Sequence, residues 1–312
     1  MNIIFMGSAR FSISSLMAIL DSHHRITGII TNPEKPSGRG LKFKPTPVAE
    51  IAQQHKIDIL MPVTLKNNKD VVDWIKQHAP DAIVVVAFGK IIPLELLHIP
   101  KYGCINVHPS LLPKYRGAAP IQRAIMNNET KTGVTVMLMD EGMDSGPILM
   151  QQEMAIDLTD DAISLGERLS KLGAELLLKT LDLLERKQIE PIRQQHELAT
   201  IAPKIIKEEG KLDFRKSAIE LHNIVRALIE WPTAWTHFKN EVVQIIHTEP
   251  LLESVDKPPG YIIKINKHGL YVATGKGVLI VKSVKPAAGK IMDALSFANG
   301  RHIKIGDQIG IA

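Results

Sequence analysis

The sequence contains a single cysteine, Cys104, among 312 residues. No disulfide can form within the chain, and a reducing compartment is the expected setting. The N-terminus lacks a charged leader region, a long apolar stretch and a small-residue cleavage site; "MNIIFMG" reads instead as an immediate strand. No apolar run approaches the ~18 residues that a membrane span requires. The expectation is a cytoplasmic protein with no membrane partner. Signatures of several enzyme classes are missing too. After the first strand, "FMGSARFS" supplies Gly7 alone, so a GxGxxG dinucleotide loop is absent. There is no GxxxxGK[ST] phosphate loop and no GxSxG nucleophile elbow. Scattered histidines and one thiol give no zinc spacing, and no metal is expected.

What is present suits two domains. Hydrophobic residues make up 45% of the chain, enough for a sizeable core. Up to about residue 150, short apolar runs ("NIIFMG", "RITGIIT", "DAIVVVAF", "GCINVH", "GVTVMLM") alternate with stretches of helical period. "DAIVVVAF" is β-branched and apolar throughout, as in a strand covered on both faces. The pattern predicts an open, mostly parallel, Rossmann-like α/β sheet wound on both sides, followed by one long amphipathic helix over 161–187. A polar, proline-containing connector comes next. Ser217 and Glu220 then form a capping-box pattern at the start of a helix. Beyond Pro232 the runs "VVQIIHT", "GYIIKIN", "GLYVAT" and "GVLIVKSV" predict a small β-barrel of OB-like size. The division read from this pattern is 1–189, a linker over 190–206, and 207–312.

One stretch stands out, "INVHPSLLPKYRGAAP". Asn106 and His108, two apart at the end of a buried strand, project to the same face. A second motif, "MLMDEGMDSGPIL", follows a strand with a glycine-containing loop that carries Asp144. Open parallel sheets bind ligands outside the carboxyl ends of their strands, so Asp144 is expected to meet His108 at that edge. An Asp beside a His fixes its tautomer, and an amide N–H suits a developing oxyanion. Such a site fits group transfer from a carbonyl to an amine, with no nucleophilic Ser or Cys required. On the residues alone a plainer reading also stands: a lone strand-end His is commonly structural, and Asp before Ser-Gly commonly forms a turn. Cys104 reads as structural.

"NVHPSLLPKYRGAAPIQRAI" together with "MDEGMDSGPIL" closely resembles the folate-dependent formyltransferases. The resemblance implies that Asn106, His108 and Asp144 are catalytic. It also implies that Ser110, Leu111, Leu112 and Pro113 form a folate-binding turn, with 10-formyltetrahydrofolate as formyl donor. The segments "NPEKPSGRGLKFKPTPV", "APKIIKEEGKLDF", "VRALIEWPTAW" and "KPAAGKIMDALSFANGR" extend the similarity along the chain, toward the branch that formylates initiator methionyl-tRNA. A monomer is expected. Three places depart from that pattern: Ile201 stands where an aromatic is usual, Phe214 replaces Trp, and Ile229-Glu230 replaces Asn-Pro.

The segment from Asn32 to Pro47 carries Lys35, Arg39, Lys42 and Lys44 against Glu34 alone. Charge and glycine by themselves fit a solvated loop. The resemblance implies instead a tRNA-contacting arm using Arg39, Lys42 and Lys44. Cations also outnumber acids from residue 204 onward, as a phosphate-contacting platform would require. A formyltetrahydrofolate hydrolase or a sugar-amine formyltransferase would share the trio without this arm and barrel. A noncatalytic RNA-binding protein would explain the charge but leave the trio without a reason.

Overall fold

The computed structural model describes residues 1–37, 42–239 and 241–310. Its strands in the first two-thirds of the chain are β1 (Asn2–Gly7), β2 (Arg25–Ile30), β3 (Lys35–Ser37), β4 (Lys42–Lys44), β5 (Ile59–Leu60), β6 (Ala82–Val86), β7 (Cys104–His108), β8 (Arg116–Gly117), β9 (Lys131–Leu138), β10 (Ile148–Ala155) and β11 (Ile201–Ala202). The helices are α1 (Ile13–Leu20), α2 (Pro47–Gln54), α3 (Lys69–Gln77), α4 (Leu94–Leu97), α5 (Pro120–Met126) and α6 (Ala162–Glu185). Two of them, α2 and α3, start at side-chain caps. Thr46 accepts from the Ala49 N–H with Pro47 in the first turn, and Asn68 accepts from the Val71 N–H.

A seven-stranded sheet runs in the order β10-β9-β7-β6-β1-β2-β5. From β7 to β5 neighbouring strands are parallel. Ile3, Ile4, Phe5 and Met6 of β1 and the whole of β6 are buried, which is why these strands are apolar at consecutive positions. The other two strands differ from the expected parallel series. β9 is antiparallel to β7, pairing Leu138 with Ile105 and Thr135 with His108, and β10 is antiparallel to β9. Residues 109–130 leave and re-enter the sheet at one edge, so no crossover is made.

The chain divides into two compact units. The first holds Met1–Pro120, Lys131–Ala155 and Gly166–Ala202; the second holds Ile121–Thr130, Ile156–Leu165 and Pro203–Ala312. In the second unit α7 (Ala218–Ala227) begins with the predicted capping box, Ser217 and Glu220 each accepting from the other's backbone N–H. Strands β12 (Trp235–Phe238), β13 (Glu241–Leu251), β14 (Ile262–Asn266), β15 (Gly269–Ala273), β16 (Val278–Pro286) and β17 (Met292–Asp293) form an antiparallel sheet, ordered β12-β13-β16-β15-β14 with β17 on β16. Phe238, Val243, Leu270, Val281 and Ile309 meet Phe297 of α8 (Ala294–Arg301) around one interior, so the sheet curls as a small barrel does. Arg226 donates to the carbonyls of Asp157 and Asp160, Asn223 Nδ2 donates to Asn128, and Arg123 pairs with Glu209. These bonds hold the two earlier segments in the second unit. Among the described residues no helix is long and apolar enough to cross a membrane.

Candidate active site

Strand β7 sorts its side chains by parity. Ile105 and Val107 are buried on one face, where Val107 lies so near Gly173 of α6 that a Cβ there would sit 2.8 Å from Val107 Cγ1. Cys104, Asn106 and His108 take the other face. Cys104 is sealed in the core with its Sγ 3.8 Å from the Leu96 carbonyl, and burial pushes its thiol up to about 12. That agrees with the structural role read from the sequence. Asn106 is partly exposed and His108 is buried.

Asp144 reaches this face by a route other than the expected one. Because β9 is antiparallel, its carboxyl end lies beside the beginning of β7 and not at the carboxyl edge. The β9–β10 loop doubles back over the sheet, and Asp144 takes a left-handed backbone with φ 51°. Asn106 Nδ2 is then 3.4 Å from Asp144 Oδ1, and His108 Nδ1 is 3.6 Å from Oδ2. The Gly117 N–H donates to the same Oδ2 at 2.8 Å. His108 Nε2 is 2.9 Å from the Tyr115 carbonyl, which can only accept, so Nε2 carries the hydrogen. Nδ1 therefore donates only when the ring is doubly protonated, a charge that the Asp144 carboxylate balances.

Several residues that build this geometry escaped the sequence reading. Gln194 is buried, and its Nε2 donates to the backbone oxygens of Asp144 and Gly146 at 2.9 and 2.7 Å. Its Oε1 accepts from Arg116 Nε and Nη2 at 3.1 and 2.6 Å, and Arg116 Nη2 also donates to His196 Nδ1. Arg116–Gly117 pairs in parallel with Ile201–Ala202. Gly117 has φ 120°, and a Cβ there would lie 2.7 Å from the Ala202 carbonyl, so glycine is required. The connector is thus packed scaffold as far as Ala202. Of the departures from the resembling pattern, Ile201 is exposed on this pairing and Phe214 is buried.

The Ser110–Pro113 turn is held from within. Ser110 Oγ donates to the Lys114 carbonyl at 2.6 Å. The Thr135 hydroxyl donates to the Ser110 carbonyl and accepts from the Leu112 N–H and Gln151 Nε2. Gln151 Nε2 also donates to the Leu112 carbonyl. Ser110 and Leu112 are buried, and the Leu112–Pro113 peptide is cis. Leu111 and Pro113 stay partly exposed, so what the turn offers a ligand is apolar surface. In the basic segment Lys35–Ser37 pairs antiparallel with Lys42–Lys44, and Lys44 is exposed. Arg39 lies outside the described residues.

Comparisons with known proteins agree with this architecture. Residues 1–181 match the formyl transferase family and residues 204–302 match the formyl transferase C-terminal domain. A methionyl-tRNA formyltransferase of Sulfurihydrogenibium is 44% identical over 99% of this chain and 99% of its own length. Another, from Alkaliphilus oremlandii, is 42% identical over 99% and 100%. Among solved structures, HypX from Aquifex aeolicus superposes with a TM-score of 0.67 at 16% identity over 99% of this chain, which spans 49% of that longer protein. An N-formyltransferase from Helicobacter canadensis, solved with folinic acid and dTDP-3-aminofucose, gives 0.65 at 22% identity over 89% of this chain and 97% of its own. At those identities the structures speak for the fold, and the sequences for the kinship. The chain belongs to the formyl transferase family.

Proposed function

We propose that the protein transfers the formyl group of 10-formyltetrahydrofolate to the α-amino group of initiator methionyl-tRNA. The observation that carries this reading is end-to-end similarity to methionyl-tRNA formyltransferases, in a chain whose Asp144 carboxylate gathers Asn106, His108 and the Gly117 N–H. An α-amino group has an ordinary pKa near ~8, so a useful fraction is neutral near pH 7. The neutral amine attacks the formyl carbon and a tetrahedral oxyanion forms. In this reading Asn106 Nδ2 donates to that oxygen together with the Nδ1–H that His108 carries when doubly protonated, contributions of the kind worth ~3–4 kcal/mol each. The 3.4 Å Asn106–Asp144 contact is long, which leaves the amide free to re-aim. Collapse breaks the bond to the folate nitrogen, and one proton passes from the attacking nitrogen to the leaving one. In this reading Asp144 and His108 assist that transfer.

Leu111 and Pro113 supply an apolar wall suited to the folate ring. Arg39, Lys42 and Lys44, with the basic second unit, are assigned to the tRNA. Action as a monomer in the cytoplasm, where aminoacyl-tRNA is used, completes the proposal. The test is incubation with 10-formyltetrahydrofolate and methionyl-tRNA, followed by ester hydrolysis and detection of N-formylmethionine. Release of formate with unmodified methionine, or transfer only to a nucleotide-linked amino sugar, would replace this reading with a hydrolase or a sugar enzyme.

A further inference from the structure

Away from the trio, a second group of ligand-bearing side chains converges between the turn before β2 and the last turns of α6. His24 Nε2 is 3.1 Å from Asp182 Oδ1. His23 Nε2 is 3.7 Å from that same oxygen and 3.3 Å from Glu185 Oε2. One ligand atom from each of His23, His24 and Asp182 falls within 4.8 Å of the others. The convergence is not a trivial result of sequence. Neighbouring residues ordinarily diverge, yet the two imidazole rings lie 4.1 Å apart, centroid to centroid. Asp182 and Glu185, three apart on α6, share one helix face opposite them.

A tetrahedral ion with donors at about 2.0–2.1 Å holds those donors about 3.3 Å from one another. Within the trio the separations of 3.1 and 3.7 Å lie on either side of that edge length, and all three ligand atoms fall within 4.8 Å of one another. We infer that His23, His24 and Asp182 form a site for a divalent transition-metal ion of the zinc type, with the fourth position left to solvent. Two imidazole nitrogens with a carboxylate oxygen suit Zn2+ or Co2+, whereas Ca2+ and Mg2+ favour sets made of oxygen alone. The buried His24 side chain is fixed in place, while His23, with its side chain 62% exposed, can turn onto an ion from solvent. The α-amino group of Met1 is the resident competitor, 3.2 Å from His24 Nδ1 and 3.0 Å from Glu185 Oε1. The role of such a site is to cinch the start of β2 to the end of α6, the helix that backs β7.

The test uses the full chain, free of any polyhistidine tag, stripped with EDTA and dialysed against micromolar Zn2+. One bound Zn2+ per chain is expected, together with a rise in Tm that Mg2+ does not produce. His23→Ala and Asp182→Asn change partly exposed side chains and should each weaken Zn2+ binding about tenfold or more. Their Tm without metal should stay near wild type. Absence of bound Zn2+ in the wild type, or binding by His23→Ala and Asp182→Asn equal to that of the wild type, overturns the inference. Neither readout depends on formyl transfer.

Discussion

At Asp144 the backbone enters the left-handed region, φ 51°, a conformation that costs most L-residues about 1 kcal/mol and that Asp tolerates better than most. The Gln194 amide holds the Asp144 carbonyl, so the surrounding hydrogen bonds, not local preference, set where this carboxylate points. Asp144→Asn keeps the volume but turns one acceptor oxygen into a donor that faces the Gly117 N–H, the Asn106 amide or His108. Its kcat should fall about 100-fold or more, the scale for losing a group that stabilises developing charge, with Tm close to wild type. Formylation at the wild-type rate would remove Asp144 from the mechanism. Gln194 acts one step further back. Gln194→Ala removes the donor to the Asp144 and Gly146 oxygens and the acceptor shared by Arg116 Nε and Nη2, leaving the buried guanidinium its bond to His196, which should cost about 2–3 kcal/mol by urea unfolding. It should also lower kcat with little change in KM for methionyl-tRNA. Gln194→Glu retains the acceptor for Arg116 but not the donor, so it should recover part of the stability and little of the kcat. Loss of stability with kcat intact would make Gln194 purely structural.

At the scale of elements, β7 is pressed between the site and α6, and Gly173 sets how closely the helix approaches. Ala is favoured over Gly inside a helix by about 0.8–1 kcal/mol. A Cβ placed 2.8 Å from Val107 Cγ1, on a β-branched side chain with little rotamer freedom, sets that gain against an overpacking cost of about 1–3 kcal/mol. Overpacking wins: Gly173→Ala should lower the urea midpoint, Gly173→Val should lower it further, and both should reduce kcat through displaced Asn106 and His108. A stabilised Gly173→Ala would show that α6 has room to move. The same elements mark what could be read from the sequence. The all-apolar β6, the capped α7 and the Asn106–His108 spacing were legible because each is a local pattern with one physical cause. The direction of β9 was not legible, since "GVTVMLM" has the same apolar character in either orientation. Gln194 was hidden too, because a glutamine in a polar connector gives no local sign of binding a carbonyl fifty residues earlier. The His23–His24 group depends on α6 residues about 160 positions away, beyond any spacing rule.

Across the whole molecule, the response to acid follows from which groups bind fewer protons in the folded chain. His24 is held below its ordinary 6.5, first by burial and then by the charges of His23 and the Met1 amine. His222 is lowered from 6.5 as well, by burial and then by Arg226. For an imidazole with a depressed folded value the unfolded chain binds more protons, so its contribution is present above the ordinary value and is lost as pH falls through it. The carboxylates act in the same direction at lower pH. Arg215 holds Asp213 at about 2, and Arg123, Arg301 and Lys282 lower Glu209, Glu241 and Glu249 respectively. The pairs of Asp213, Glu241 and Glu249 lie at the surface and contribute little each, whereas Arg123–Glu209 is partly buried. The urea midpoint should therefore be flat above pH 7.5, decline between about pH 7 and 5.5, and decline again below about pH 4.5. The two compact units need not unfold together, which makes local probes necessary. Trp74 reports on the first unit, and Trp231 and Trp235 report on the second, which contains His222. In a Trp74→Phe background, His222→Gln keeps a side chain able to bond the Thr248 hydroxyl, the partner of His222 Nδ1 at 2.9 Å, while removing the titrating ring. The indole-detected midpoint should then lose its slope between pH 7 and 5.5 and keep the fall at lower pH. If acidification raises the midpoint, or if the slope survives in His222→Gln, the half-buried imidazole is not the group that makes the second unit sensitive to acid.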